Sequence, residues 1–154
     1  MVNKGFITAL TTLDGGRISV GAQAVGIAQG AIDCCKKYVT EHSVGGQLIS
    51  KYQYTQFQLA DMQTKVDAAR LLVQRAAQAK QDGEPFAQYA AMGKLFASET
   101  AVDVTRRCID LAGIDGVSGD YPFERFMRDS KITEIYEGTS EVQRMVISAA
   151  MGVK

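Results

Sequence analysis

Apolar and small residues recur through most of the chain at steps of three and four. Ile18, Gly21, Val25, Ala28, Ile32 and Cys35 make one stripe. Leu59, Met62, Val66, Ala69, Val73 and Ala76 make a second. This spacing collects side chains on one face of an α-helix. A third segment, from Phe86 to about Ala112, carries Met92, Leu95, Phe96, Val102 and Ile109 as its large apolar positions. No sustained alternation predicts a strand, and no fixed-period repeat is visible.

The interruptions set the organisation. His42-Ser-Val-Gly-Gly46 predicts a turn between the first two long helices. Asp82-Gly-Glu-Pro85 separates the second from the third, and Pro85 suits a helix start. The glycine-rich run from Gly113 to Asp120 ends the third. Pro122 opens a short helix to about Lys131, and a last helix runs from about Ser140 to Met151. Short connections favour antiparallel neighbours, so the expected architecture is an all-α, up-down bundle of four main helices and a short one.

Composition narrows the chemistry. At 154 residues the chain suits one domain with a real core. Lysine and arginine together number 17, as do aspartate and glutamate, so there is no basic footprint for nucleic acid. The three cysteines, Cys34, Cys35 and Cys108, are sparse and odd in number, which suits a reducing, cytoplasmic setting. His42 is the only histidine, which argues against a His/Cys metal cluster and a serine or cysteine triad. It is expected at the surface near a loop. No charged-then-apolar leader opens the chain, and no stretch is expected to span a membrane. The start Met1-Val-Asn-Lys-Gly-Phe6 reads as a cut into a longer protein.

Two local features invite a functional reading. Gly15, Gly16, Gly21, Gly26 and Gly30 lie in or near the first helix, where each costs roughly 1 kcal/mol against alanine. Gly21, Gly26 and Gly30 predict a close helix crossing; Gly15 and Gly16 could let a ligand approach the backbone. Further on, Ser140 reads as an N-cap with Gln143 three residues later, a capping-box pattern. Glu141 then falls in the first turn, where the helix dipole favours an anion. By this local pattern alone, Glu137 is a carboxylate before a helix start.

The segment Ile132-Thr-Glu-Ile-Tyr-Glu-Gly-Thr-Ser-Glu-Val-Gln-Arg144 resembles the signature near the C-terminus of acyl-CoA dehydrogenases, above all the short-chain or butyryl-CoA type. Gly5-Phe6 with Leu13-Asp-Gly-Gly-Arg-Ile18 resembles the start of the same domain. Lys51 to Met62 resembles its second helix, and Tyr121 to Ile132 the stretch before the base. The likeness runs almost end to end, in order.

The resemblance implies α,β-dehydrogenation of a short-chain acyl-CoA, with FAD as hydride acceptor at N5 and Glu137 as acceptor of the α-proton. A thioester α-proton is weakly acidic, so a carboxylate withdrawn from water is the better base. It implies that the amide of Gly138, with a flavin ribityl hydroxyl, would stabilise the enolate oxygen. It places Asp14, Gly15, Gly16 and Arg17 at the substrate. Gln53, Gly113, Thr139, Ser140 and Glu141 fall at cofactor positions, and a helix start suits phosphate. One branch of the family carries its glutamate on the first helix, where this chain has Gly16, so Glu137 is expected to be the sole base. A salt bridge at helical spacing is the alternative for Asp14 and Arg17.

Two stretches depart from the family pattern. Where relatives carry an arginine followed three residues on by Phe-Gly, this chain has His42 and then Gly45-Gly46. Where they carry Gln-x-x-Gly-Gly-x-Gly-Tyr, it has Asp110-Leu-Ala-Gly113-Ile-Asp-Gly116-Val117. Both are places where the family contacts a neighbouring subunit's FAD, and histidine is a weaker phosphate partner than arginine. Either FAD is held less tightly or by other residues, or the domain serves assembly alone. The family's N-terminal helical and middle β domains have no counterpart in residues 1–154. The isolated chain is therefore expected to fold without turning over substrate. The resemblance also implies a homo-oligomer, dimer or tetramer, and an electron-transfer flavoprotein as partner.

Overall fold

The computed structural model describes residues 4–153; Met1, Val2 and Asn3, part of the cut expected at the start, lie outside them. Five α-helices account for most of the chain: α1 (Gly5–Glu41), α2 (Gln53–Gln81), α3 (Ala87–Ala112), α4 (Phe123–Lys131) and α5 (Ser140–Ala150). The order and breaks agree with the helical periodicity. Alternation could not have shown the one sheet, a two-residue ladder of β1 (Ser43–Val44) and β2 (Gln47–Leu48), with Gly45 and Gly46 at φ of 58° and 81° between them. A positive φ at two successive positions is the backbone of a tight hairpin turn.

α3 sits in the middle and touches α1, α2, α4 and α5. Its buried face differs from the apolar positions expected. Ala90, Ala91, Gly93, Lys94, Ala97, Ser98, Ala101, Val104, Thr105 and Cys108 are buried, whereas Met92, Leu95, Val102 and Ile109 are half-buried and Phe96 is exposed. The reason is size: a helix surrounded by four others needs small side chains where they approach. The stripes on α1 and α2 hold as expected, with Ile18 and Leu59 half-buried at the margin.

The glycine expectation separates into three cases. A Cβ at Gly21 would lie 2.9 Å from Val73 Cγ2, and one at Gly93 would lie 3.3 Å from the Val73 Cα, so the three helices cross tightly there. Gly30 meets only ordinary contacts at 3.5 Å from Phe126, and Gly26 meets nothing within 4 Å. Those two are not crossing residues.

By length and hydropathy α1 does reach membrane-span arithmetic, with a mean hydropathy of 1.2 over its best window. This corrects the expectation that no stretch would. Alanine, glycine and valine raise the score, and they are the residues α1 packs against α2 and α3: Ala24, Val25, Ala28, Ala31 and Ile32 are all in the core. Cys34, Cys35 and Cys108 are free thiols, the last two fully buried.

Candidate active site

A chain of buried hydroxyls sets the turn that follows α4. Ser130 and Thr105 share a hydrogen bond at 3.1 Å, and Thr133 Oγ1 donates to the Ser130 carbonyl at 2.6 Å. Thr105, Ser130 and Thr133 are fully buried, so α4 stops against α3 at a defined place. The chain then makes a 3₁₀ turn, Ile132–Glu134, and doubles back. Tyr136 donates its hydroxyl to Gln23 on α1.

Glu137 follows at φ 55°, the only non-glycine residue with positive φ among those described. An L-residue there costs about 1–3 kcal/mol and persists only when its surroundings impose it. They do so through two side chains. Gln143 Nε2 donates to the Glu137 carbonyl at 3.2 Å and to the Gly138 carbonyl at 2.7 Å, and Lys94 Nζ donates to the same Gly138 oxygen at 2.8 Å. Lys94 and Gln143 are fully buried. Burial holds the Lys94 ammonium below its ordinary pKa, with Glu134 pulling the other way. Gly138 has φ 93°, and a Cβ on it would come within 2.9 Å of Gln143 Nε2.

The Glu137 side chain lies on the bare backbone of Gly16. A Cβ there would overlap its Oε2 and approach its Cδ to 2.7 Å. One turn of α1 thus supplies the floor under the carboxylate. Beside it, Arg17 is 4% exposed and donates to Asp14 at 2.6 Å, while its Nε finds no partner. The salt bridge set as the alternative is present, and the same arginine keeps an unused buried donor. A Cβ at Gly15 would sit 3.0 Å from Lys80 Nζ. Asp14, Gly15, Gly16, Arg17, Glu137 and Gly138 therefore converge.

The cap of α5 corrects the capping-box pattern. Thr139, not Ser140, is the N-cap residue, and no side chain caps it by hydrogen bond. Gln143 turns away from the amides to the two carbonyls above, so neither half of the box forms. Ser140 Oγ and Gln143 Oε1 are buried without partners. Backbone N–H and the Thr139 hydroxyl hold the exposed Glu141 carboxyl below its ordinary range. Thr139, Ser140 and Glu141 line a cleft of about 350 Å³ with Glu99, Lys131 and Arg144; Arg144 pairs with Glu99 and Lys131 with Glu134, each at 2.5 Å.

The remaining predicted residues lie at the other end of the bundle. At 1.5 Å per residue, the run of α1 from Gly16 to His42 spans about 39 Å. Gln53, Gly113, Asp110 and His42 gather there. Gln53 is exposed at the start of α2, and Gly113 is exposed at φ 63° after α3. His42 is not the surface residue expected: it is half-buried, stacked on Tyr38 with ring centroids 4.0 Å apart. Its Nδ1 donates to the Tyr38 carbonyl at 2.9 Å, and its Nε2 lies 2.9 Å from the Tyr121 hydroxyl. Both ring nitrogens are thus used inside the chain. Asp115 accepts from Tyr38 Oη at 2.8 Å; burial and this carboxylate push the Tyr38 hydroxyl up to about 12. Asp110 is paired with Arg106 at 2.8 Å. Two lysines near the site escaped the sequence reading: Lys94, which holds the Gly138 carbonyl, and Lys80, which lies beside Gly15. A lysine inside the small-residue run Ala90-Ala-Met-Gly-Lys94 was a signal for the first; nothing local marked the second.

Comparison with known proteins gives the family. Residues 3–152 match the family model described as acyl-CoA dehydrogenase, C-terminal domain. The chain is 50% identical over 145 residues to a short-chain specific acyl-CoA dehydrogenase of Clostridium acetobutylicum, covering 94% of this chain and 38% of that protein. It is 52% identical over 145 residues to an acryloyl-CoA reductase (NADH) of Anaerotignum propionicum, covering 94% of this chain and 37% of that protein. Among solved structures it superimposes on butyryl-CoA dehydrogenase of Megasphaera elsdenii with a TM-score of 0.95 and 48% identity, over 96% of this chain and 39% of that one. The chain thus spans under two-fifths of the length of these relatives. A match over nearly all its residues, with the same helical fold, shows that the chain belongs to the acyl-CoA dehydrogenase family, as its C-terminal domain.

Proposed function

We propose that this domain supplies the base of an FAD-dependent dehydrogenase acting on short-chain acyl-CoA thioesters, with Glu137 as acceptor of the α-proton. The observation that carries this is the seat of the Glu137 carboxylate on Gly16. A strained residue is held by two buried donors, and its side chain is placed against a helix stripped of its Cβ. Strain maintained by dedicated partners is what a site under functional demand displays.

Glu137 takes the α-proton. The N–H of Gly138 is the donor toward the thioester oxygen, where enolate charge develops. Glycine at 15 and 16 lets the acyl chain run along the backbone of α1, and Arg17 with Asp14 faces the CoA portion. FAD, when bound, accepts the β-hydride. At the Glu137 end Ser140 keeps an unpartnered buried hydroxyl and Thr139 opens α5, and these two would hold such a group. Glu141 has already drawn on the amides of that first turn, so Thr139 and Ser140 carry more of the contact.

Gly113 lies about 28 Å along α3 from Lys94, and Gln53 starts α2 at the same far end of the bundle, away from Thr139 and Ser140. Gln53 and Gly113 would therefore contact the FAD of a second subunit, which makes the working unit a homo-oligomer. Exposed Met145 on α5 and Phe57 on α2 provide apolar surface for such packing. The electron acceptor implied is an electron-transfer flavoprotein. Glu137 serves either direction, since the group that takes the α-proton in oxidation returns it in reduction. The reductase relative is consistent with this.

The alternative is an assembly domain with weakened or lost FAD binding. The inward-facing His42 favours it, because both its ring nitrogens are used inside the chain. Flavin content and FAD titration of the full-length polypeptide decide between the two. With FAD bound, Glu137→Gln is expected to lower turnover by about 10²–10⁴-fold, the usual contribution of a general base. Unchanged turnover removes Glu137 from the chemistry; no flavin at micromolar FAD leaves assembly.

A further inference from the structure

We infer that Lys94 and Gln143 are positioning residues that clamp the two carbonyls flanking Gly138 and so hold the Glu137 side chain in its seat on Gly16. The inference rests on Glu137 being the base, and names what keeps it there.

Lys94 has no salt-bridge partner among the described residues. It is fully buried in the small-residue face of α3, and its one hydrogen bond there goes to the Gly138 oxygen at 2.8 Å. A buried ammonium is costly unless something requires it. Packing gives no reason for a lysine there, because the buried face around it is Ala90, Ala91, Gly93, Ala97 and Ser98. The requirement is the carbonyl. Gln143, also fully buried, spends its amide nitrogen on the Glu137 oxygen at 3.2 Å and the Gly138 oxygen at 2.7 Å, and its Oε1 goes unsatisfied. Both residues accept a cost of burial to reach the same turn from opposite elements, α3 and α5.

The geometry gives the clamp its effect. Every peptide described is trans, and a planar trans peptide carries its N–H opposite its C=O. Holding the Glu137 oxygen therefore fixes the plane of the peptide that follows the base. Holding the Gly138 oxygen fixes the next peptide and pins Glu137 at its unfavourable φ. Released, the turn would relax and carry the carboxylate off Gly16.

The test uses the full-length, flavin-loaded enzyme with Lys94→Met, Lys94→Arg and Gln143→Leu, beside Glu137→Gln. Methionine keeps the length of lysine without the buried charge, and such exchanges seldom impair folding. Misplacement on the scale of 1 Å costs about 10²-fold in rate. The expectation is that Lys94→Met lowers kcat 10- to 100-fold, keeps KM and flavin content within twofold, and speeds amide hydrogen exchange across Tyr136–Thr139. Lys94→Arg recovers part of the rate. The double variant is no slower than the worse single one, because both clamps share one acceptor. If Lys94→Met does not accumulate, Gln143→Leu carries the same expectations. Unchanged kcat and exchange in the folded variant overturn the inference while Glu137→Gln still abolishes turnover. Retained turnover in Glu137→Gln overturns both the base and its clamp.

Discussion

The carboxylate of Glu137 occupies the space that a side chain at Gly16 would fill. A Cβ at that position would overlap Oε2 and lie 2.7 Å from Cδ. One residue stands in the loop before α5 and the other on α1, yet the two positions converge on a single point. The space at this point therefore has room for one side chain, from one side or the other.

Gly16→Ala separates fold from function at this contact. Alanine is favoured over glycine inside a helix by roughly 1 kcal/mol, and what it meets is the movable end of Glu137. The melting temperature should hold or rise while turnover of the full-length enzyme falls at least about 10-fold, since the base is displaced. Thermal melts and steady-state assays on one preparation check this; full turnover would mean that the seat on Gly16 is incidental.

Glu137 itself should be a stability liability. Asparagine tolerates the left-handed region better than glutamate, and relief of the strain at φ 55° is worth about 1–3 kcal/mol at most. Glu137→Asn is therefore expected to raise the denaturation midpoint and abolish turnover. A variant less stable than the parent would show that the carboxylate contributes more through its contacts than the backbone costs.

The glycines of α1 predict opposite outcomes ten ångströms or less apart along one helix, at about 1.5 Å per residue. Gly26→Ala meets nothing within 4 Å and should stabilise by up to about 1 kcal/mol. Gly21→Ala would press on Val73 Cγ2 from 2.9 Å and should cost about 1–3 kcal/mol by overpacking. Chemical denaturation of the two variants reads the difference directly.

Asp103 provides a pH test. Burial alone would raise its carboxyl, but hydrogen bonds from Lys65 at 2.8 Å and Arg107 at 3.0 Å outweigh it and hold the group below its ordinary range. A depressed carboxyl stabilises the fold above its unfolded pKa, and this is lost as pH falls through the lower folded value. Asp103→Asn should cost no more than about 1 kcal/mol at neutral pH, because the network is partly solvated and screened. The difference from the parent should shrink as pH falls below about 4 and vanish only below the lower folded value. A gap that persists in acid would assign the effect to packing.

Much of the site was legible in the chain because it is local. Glu137, Gly138, Thr139 and Ser140 are consecutive, and Asp14 to Arg17 fall within one turn. The expected cap at Ser140 missed by one residue, because Gln143 has a stronger use for its amide in the carbonyls of Glu137 and Gly138. His42 was misplaced for a related reason: its neighbours Tyr38 and Tyr121 are supplied by a helix turn and a distant loop, neither of which local polarity reveals.

Periodicity by itself determined the helices and their breaks, since amphipathic spacing and turn residues act over a few positions. The ordered motifs determined the family. Tertiary structure decided the rest: that α3 buries mostly small residues and Lys94 while Met92, Leu95 and Phe96 stay at its margin, that Gly16 seats Glu137, and that the predicted flavin residues stand at opposite ends of the bundle. Each of these depends on which faces meet across the bundle. That is settled by packing between segments far apart in the chain, and no local pattern encodes it.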